Sequence, residues 1–150
     1  MRKDDLLDTL RRSFDGDAWH GPAVRDVLDG VSAEDARRPP PGDAHSIWEL
    51  TLHIAAWANE VARRLQGNAP SEPEEGDWPA PGNDWSDAVQ RVFDARDRVL
   101  ENCAQLSEAE LDRHVGSSGV TYAATIEGLA QHNVYHAGQI MLLRRILGGL

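Results

Sequence analysis

The sequence predicts an all-α fold, a four-helix bundle with long crossover loops. Four long segments place apolar residues at intervals of three and four, none alternates with the period of a strand, and Pro- and Gly-rich segments separate them. At 150 residues the chain reads as a single domain over 1–150, a size that buries about 68–70% of the surface exposed by the unfolded chain. Such a domain can fold on its apolar core without a metal or a disulfide.

The first segment carries Leu6, Leu7, Leu10 and Phe14 at helical spacing and is broken at Gly16. Pro22 suits a first helical position, and Val24, Val27, Leu28 and Val31 extend an apolar stripe beyond it. Ser32 and Asp35 have the spacing of a capping box that opens one short turn, after which Pro39-Pro40-Pro41-Gly42 excludes regular structure. Ser46 and Glu49 form a stronger box. The stripe Ile47, Leu50, Ile54, Trp57, Val61 and Leu65 then predicts a helix over 46–66.

Residues 67–83 are rich in Pro, Gly and Glu and lack periodicity, so they read as a long surface connection. Trp78 within it either covers a pocket mouth or pins the loop to the bundle, the second being the commoner use of a buried aromatic. Asp84 caps a third long helix marked by Trp85, Val89, Val92, Val99, Cys103 and Leu106. Ser107 and Glu110 open a short turn, and Thr121 caps a last helix that runs to about Leu147.

Histidines interrupt two of these stripes. His132 and His136 stand four apart, on one face with Leu129, Ile140 and Leu143, and His53 shares the inward arc of the second long helix with Leu50 and Trp57. A buried neutral imidazole must recover its lost hydration through hydrogen bonds, a proton or a metal. A His-x-x-x-His pair alone is a weak motif; a third histidine on another helix strengthens the metal alternative over hydrogen-bonded core residues.

Fifteen Lys and Arg against twenty-five Asp and Glu, a net charge of −10, argue against nucleic acid or an anionic membrane as partner, since both require clustered basic residues. The N-terminal MRKDDLLDTLRR has acids where a signal peptide would be apolar, and no run is long enough to span a bilayer, so a cytoplasmic location is expected. The single cysteine, Cys103, excludes an internal disulfide and a thiolate-cluster metal site.

The stretches AWHGPAVRDVL (18–28), HSIWELTLHIAAWANEVARRLQG (45–67), GDWPAPGNDW (76–85) and IEGLAQHNVYHAGQIMLLRRIL (126–147) resemble the DinB-like family, metalloenzyme-type bundles distinct from the DNA polymerase that shares the name. The resemblance implies that His53, His132 and His136 bind one divalent metal at one end of the core. It also implies a homodimer, and chemistry of the thiol-transferase or hydrolase type on a small-molecule substrate, with a low-molecular-weight thiol or a water as nucleophile. The isomerase-type relatives carry an additional C-terminal domain, which is not expected here.

Three histidine ligands leave a coordination position open, as in catalytic sites. Zinc or nickel is expected, and iron is compatible with imidazole ligation. Glu60, two turns after His53 on the same face, is the candidate general base. Gly128 either leaves space beside the metal or permits close helix packing, and Tyr135 and Gln139 flank His136 as candidates for orienting ligands. The alternative function is a metal-binding structural or ligand-binding module without catalysis.

Overall fold

The structure, a computed structural model, describes residues 2–148. Six α-helices are formed among them: α1 (Arg2–Asp15), α2 (Val24–Leu28), α3 (Ala33–Arg37), α4 (Ile47–Leu65), α5 (Trp85–Gln105) and α6 (Tyr122–Ile146), with a 3₁₀ turn at Glu108–Asp112 before the last. No strand occurs among the described residues beyond an isolated bridge between His114 and Thr121. The long helices α1, α4, α5 and α6 close into a ring in which α4 and α1 each pack against both α5 and α6.

The helix starts follow the predicted capping chemistry. Ser46 Oγ accepts from the Glu49 amide at 3.2 Å while the Glu49 carboxylate accepts from the Ser46 amide at 2.7 Å. Ser107 and Glu110 repeat this reciprocal arrangement, and Ser32, Asp84 and Thr121 each cap through a side-chain oxygen. Such caps satisfy amides that the first turn leaves without helical partners. Pro22 departs from expectation. Ala23 takes the cap position of α2 and Val24 begins the helix, because the Asp26 carboxylate accepts from the Ala23 amide at 2.8 Å and fixes the start there.

The core is formed by Leu10 and Phe14 of α1, Ile47, Trp48 and Ile54 of α4, Val92 and Val99 of α5, and Ile126 and Ile140 of α6, all essentially inaccessible to solvent. Two polar links cross it. Asn133 of α6 donates to Ser13 Oγ of α1 at 3.0 Å, and Ser13 Oγ donates to the Leu10 carbonyl at 2.7 Å. Near the C-terminal end of α6, Arg144 donates to the carbonyls of Val27 and Asp29, supplying partners to the C-terminal end of α2.

The connection after α4 is tied back to that helix. The Glu60 carboxylate, buried to 3% exposure, accepts from Arg63 Nε at 2.8 Å, Arg64 Nε at 2.9 Å and the Ser71 amide at 2.8 Å. Arg63 also donates to the Ala69 carbonyl, and Arg64 to that of Ser71. One buried anion thus organises two arginines and the first residues of the loop. The remainder of the loop returns across the inner face of α4 at Asp77 and Trp78.

Candidate metal centre

His53 sits on α4 and His132 and His136 on the facing α6, where the helical stacking of residues four apart brings the last two together. One nitrogen from each of the three lies within 4.8 Å of the others. The Nε2 atoms of His53 and His132 are 2.9 Å apart. Nitrogens bound tetrahedrally to a single ion at about 2.0–2.1 Å lie about 3.3 Å from one another, so this separation is close to that of two ligands of a shared divalent ion.

The other ring nitrogens set the tautomers. His53 Nδ1 donates to the Asp77 carbonyl at 2.5 Å, and His136 Nδ1 donates to Gln139 Oε1 at 2.7 Å, which leaves both Nε2 atoms as lone-pair donors. His132 Nδ1 is buried and has no hydrogen-bond partner among the described residues. A ring oriented only through Nε2 is weakly held by protein alone, and a ligand bond at that atom would fix it.

Trp78 stacks on His53 with centroids 3.9 Å apart and an interplanar angle of 9°, and His45 stacks on the outer face of Trp78 at 3.5 Å. Trp57 Nε1 donates to the Asp77 carboxylate at 2.7 Å. The loop is therefore pinned to the bundle on the histidine cluster itself, so Trp78 pins the loop and covers the site at once.

Burial sets the charge state of the cluster. Loss of hydration lowers the pKa of His53 and of His136, and it brings His132 down to about 3, with the neighbouring His136 and His53 adding to the effect. Neutral imidazoles are the metal-binding form. In metal-free protein, the unfolded chain takes up protons near pH 6.5 that the folded chain refuses, so stability should fall as pH drops below that value. Each such proton contributes a slope of about 1.4 kcal/mol per pH unit. Thermal melts in chelator across this range check the expectation, and a midpoint that stays level through it would contradict it.

Glu60 has a different setting from the one expected of a general base. Burial alone would raise its pKa, but hydrogen bonds from Arg63, Arg64 and the Ser71 amide outweigh that and bring it down to about 2. A carboxylate so engaged is a weak base, and its partners make it the anchor of the loop. Gly128 has open space where a Cβ would stand, which removes close helix packing as its reason; it lines a cleft of about 250 Å³ that also reaches His132 and Trp57.

Cys103 is buried, and burial pushes its thiol up to about 12, so it is not poised as a nucleophile. Gln139 orients His136 as its position suggested, while the Tyr135 ring lies edge-on to His136 at 5.0 Å and is 65% exposed. Asp77 and His45 are parts of the site that spacing did not reveal. Asp77 holds His53 through its backbone carbonyl, which leaves no side-chain signature, and its carboxylate meets Trp57 only through the path of an aperiodic loop.

The architecture and the cluster together define a class: an all-α bundle presenting three neutral imidazoles from two facing helices, in an arrangement that could hold one metal ion. The sequence model of the DinB superfamily matches residues 18–140, and the chain belongs to that superfamily. A comparison with curated protein sequences gives no match. No helix among the described residues is long and apolar enough to cross a membrane.

Proposed function

We propose that the protein is a divalent-metal-dependent enzyme acting on a small molecule, of the thiol S-transferase or hydrolase type. The observation that carries this reading is the convergence of His53, His132 and His136, with nitrogens within 4.8 Å of one another and a cleft of about 250 Å³ reaching His132. One ion bound there, zinc or nickel foremost and iron compatible with the same donors, would act as a Lewis acid that lowers the pKa of a water or a thiol toward neutrality. The three imidazoles supply neutral ligands, the Asp77 carbonyl and Gln139 hold two rings in the required tautomer, and Trp78 keeps water from one side.

Turnover of an electrophilic substrate should require metal and stop on chelation. Thiol transfer should further require an added small thiol, because Cys103 is inaccessible. A panel of electrophiles and activated esters, tested with and without thiols, separates transfer from hydrolysis. Cys103→Ser should retain activity and His136→Ala should lose it. Tight metal binding with no turnover across the panel would favour the alternative, a metal-binding module without catalysis.

The proposed assembly is a two-fold homodimer. It is supported by the outer stripe of α6, where Tyr135, Leu142 and Ile146 are 65%, 59% and 53% exposed. Glu127 and Arg145 stand at opposite ends of this stripe, about five turns apart on the same side of the helix. In an antiparallel pairing of two α6 helices, each Glu127 would face the other copy's Arg145, with Tyr135 and Leu142 between them and Ile146 just beyond. Light scattering at micromolar concentration should give a dimer, and Leu142→Glu should give a monomer of unchanged helicity. A monomeric parent protein would remove the assembly.

A further inference from the structure

The cleft that reaches His132 runs between α4 and α6 and has apolar walls, formed by Trp57 and Val61 on one side and Leu129 on the other. Arg64 is the only charged residue among its described lining. Its guanidinium is held at one edge: Nε donates to Glu60 Oε1 at 2.9 Å and Nη2 to the Ser71 carbonyl at 3.0 Å. The ring of Trp57 lies 5.6 Å from its Cζ. Nη1 has no hydrogen-bond partner among the described residues, so the guanidinium is oriented while part of its donor capacity is unspent.

The Arg64 edge of the cleft is positive, whereas the Asp77 carboxylate, bonded to Trp57 Nε1 and 3.4 Å from His53 Nδ1, lies toward the histidines. Glu60 is the single carboxylate within the cluster, and it is shared by Arg63 at 2.8 Å and Arg64 at 2.9 Å, so the three residues carry a net charge of +1. This stands out in a chain with a net charge of −10. Ordinary surface balance does not require a cation fixed at the edge of an apolar cleft.

We propose that this cleft binds the organic substrate of the site and selects a small molecule that joins an anionic group to an apolar body. The carboxylate or similar anion pairs with Arg64 Nη1, the body lies against Trp57, Val61 and Leu129, and the reacting end is directed to His132. The last element rests on the metal-enzyme reading, whereas the first two do not. A volume of about 250 Å³ lies below the range of about 300–1,000 Å³ typical of drug-sized ligands, which points to a compact ligand, and the single arginine at the edge matches one anionic group. Gly128 supports the assignment, since a side chain there would project into space the cleft now leaves open.

The test uses phenylacetate and its neutral isostere phenylacetamide, titrated calorimetrically into chelated, metal-free protein, so that the readout is independent of turnover. Phenylacetate should bind at least about 10-fold more tightly than the amide, the size of effect expected from a charge-assisted hydrogen bond. Arg64→Met should abolish that preference and leave amide binding unchanged. Arg63→Met, which removes the other arginine on Glu60 but does not line the cleft, should retain it. Gly128→Leu, a substitution favourable to helix, should weaken both ligands. Equal binding of acid and amide by the parent protein, no binding of either, or equal losses in Arg63→Met and Arg64→Met would overturn the proposal. Metal content measured on the same variants separates the two readings: a parent protein that takes up no metal but prefers the acid sinks the metal enzyme and leaves the anion cleft standing.

Discussion

Replacing His132 with alanine is expected to reduce affinity for a divalent ion by more than about 100-fold, beyond the 10–100-fold typical of losing an outer-shell partner of a metal ligand. His53→Ala and His136→Ala should do the same, because each removes one of only three nitrogens in the cluster. The fold should survive. His132 is partly exposed, and the core is built from residues such as Trp48, Phe14 and Ile140 that do not depend on the site, so far-ultraviolet circular dichroism should show a helical apo protein. Elemental analysis of the three variants beside Cys103→Ser decides the matter: metal retained equally in all four would remove the site.

Glu60→Ala is expected to produce the largest loss of stability among changes outside the apolar core. Removing one partner of a buried ion pair costs about 3–5 kcal/mol, but the Arg63 and Arg64 side chains are 37% and 19% exposed, and solvent screening reduces the figure to about 2–3 kcal/mol. For a domain of this size that is a fall in Tm of about 5–10 °C. The same substitution frees the first part of the connection, which the clasp holds at Ser71, so limited proteolysis should cut between 67 and 77 sooner than in the parent. Unchanged Tm and proteolysis would show that the carboxylate is not the anchor described.

The positions of the three metal-candidate histidines were legible because helical periodicity is a local property. His53 with Leu50 and Trp57, and His132 with Leu129 and His136, could be assigned to inward faces by counting. The capping residues Ser46, Asp84, Ser107 and Thr121 were legible for the same reason. The Glu60 clasp was legible in principle, since arginines three and four residues after a glutamate lie within reach of it, yet its position on the face of His53 drew attention to base chemistry instead. The stack of His45, Trp78 and His53 was not legible. It joins residues from a loop, an aperiodic connection and a helix through tertiary contact alone.

The partner that orients His53 is the main-chain carbonyl of Asp77, and every residue type has such a carbonyl. No point substitution at position 77 can delete that acceptor; it can remove only what the carboxylate adds, the link to Trp57 Nε1 and a negative charge 3.4 Å from His53 Nδ1. What the orientation of His53 demands of the loop is therefore reach and path, while the stacking of Trp78 on the same ring remains a demand on composition. Inserting or deleting a residue between the Glu60 clasp at Ser71 and the contact at Asp77 would move the carbonyl by roughly 3.5 Å, more than a hydrogen bond tolerates. Mutational drift between Ser71 and Asp77 should accordingly be permissive in letters and strict in length, with Trp78 held by its stacking.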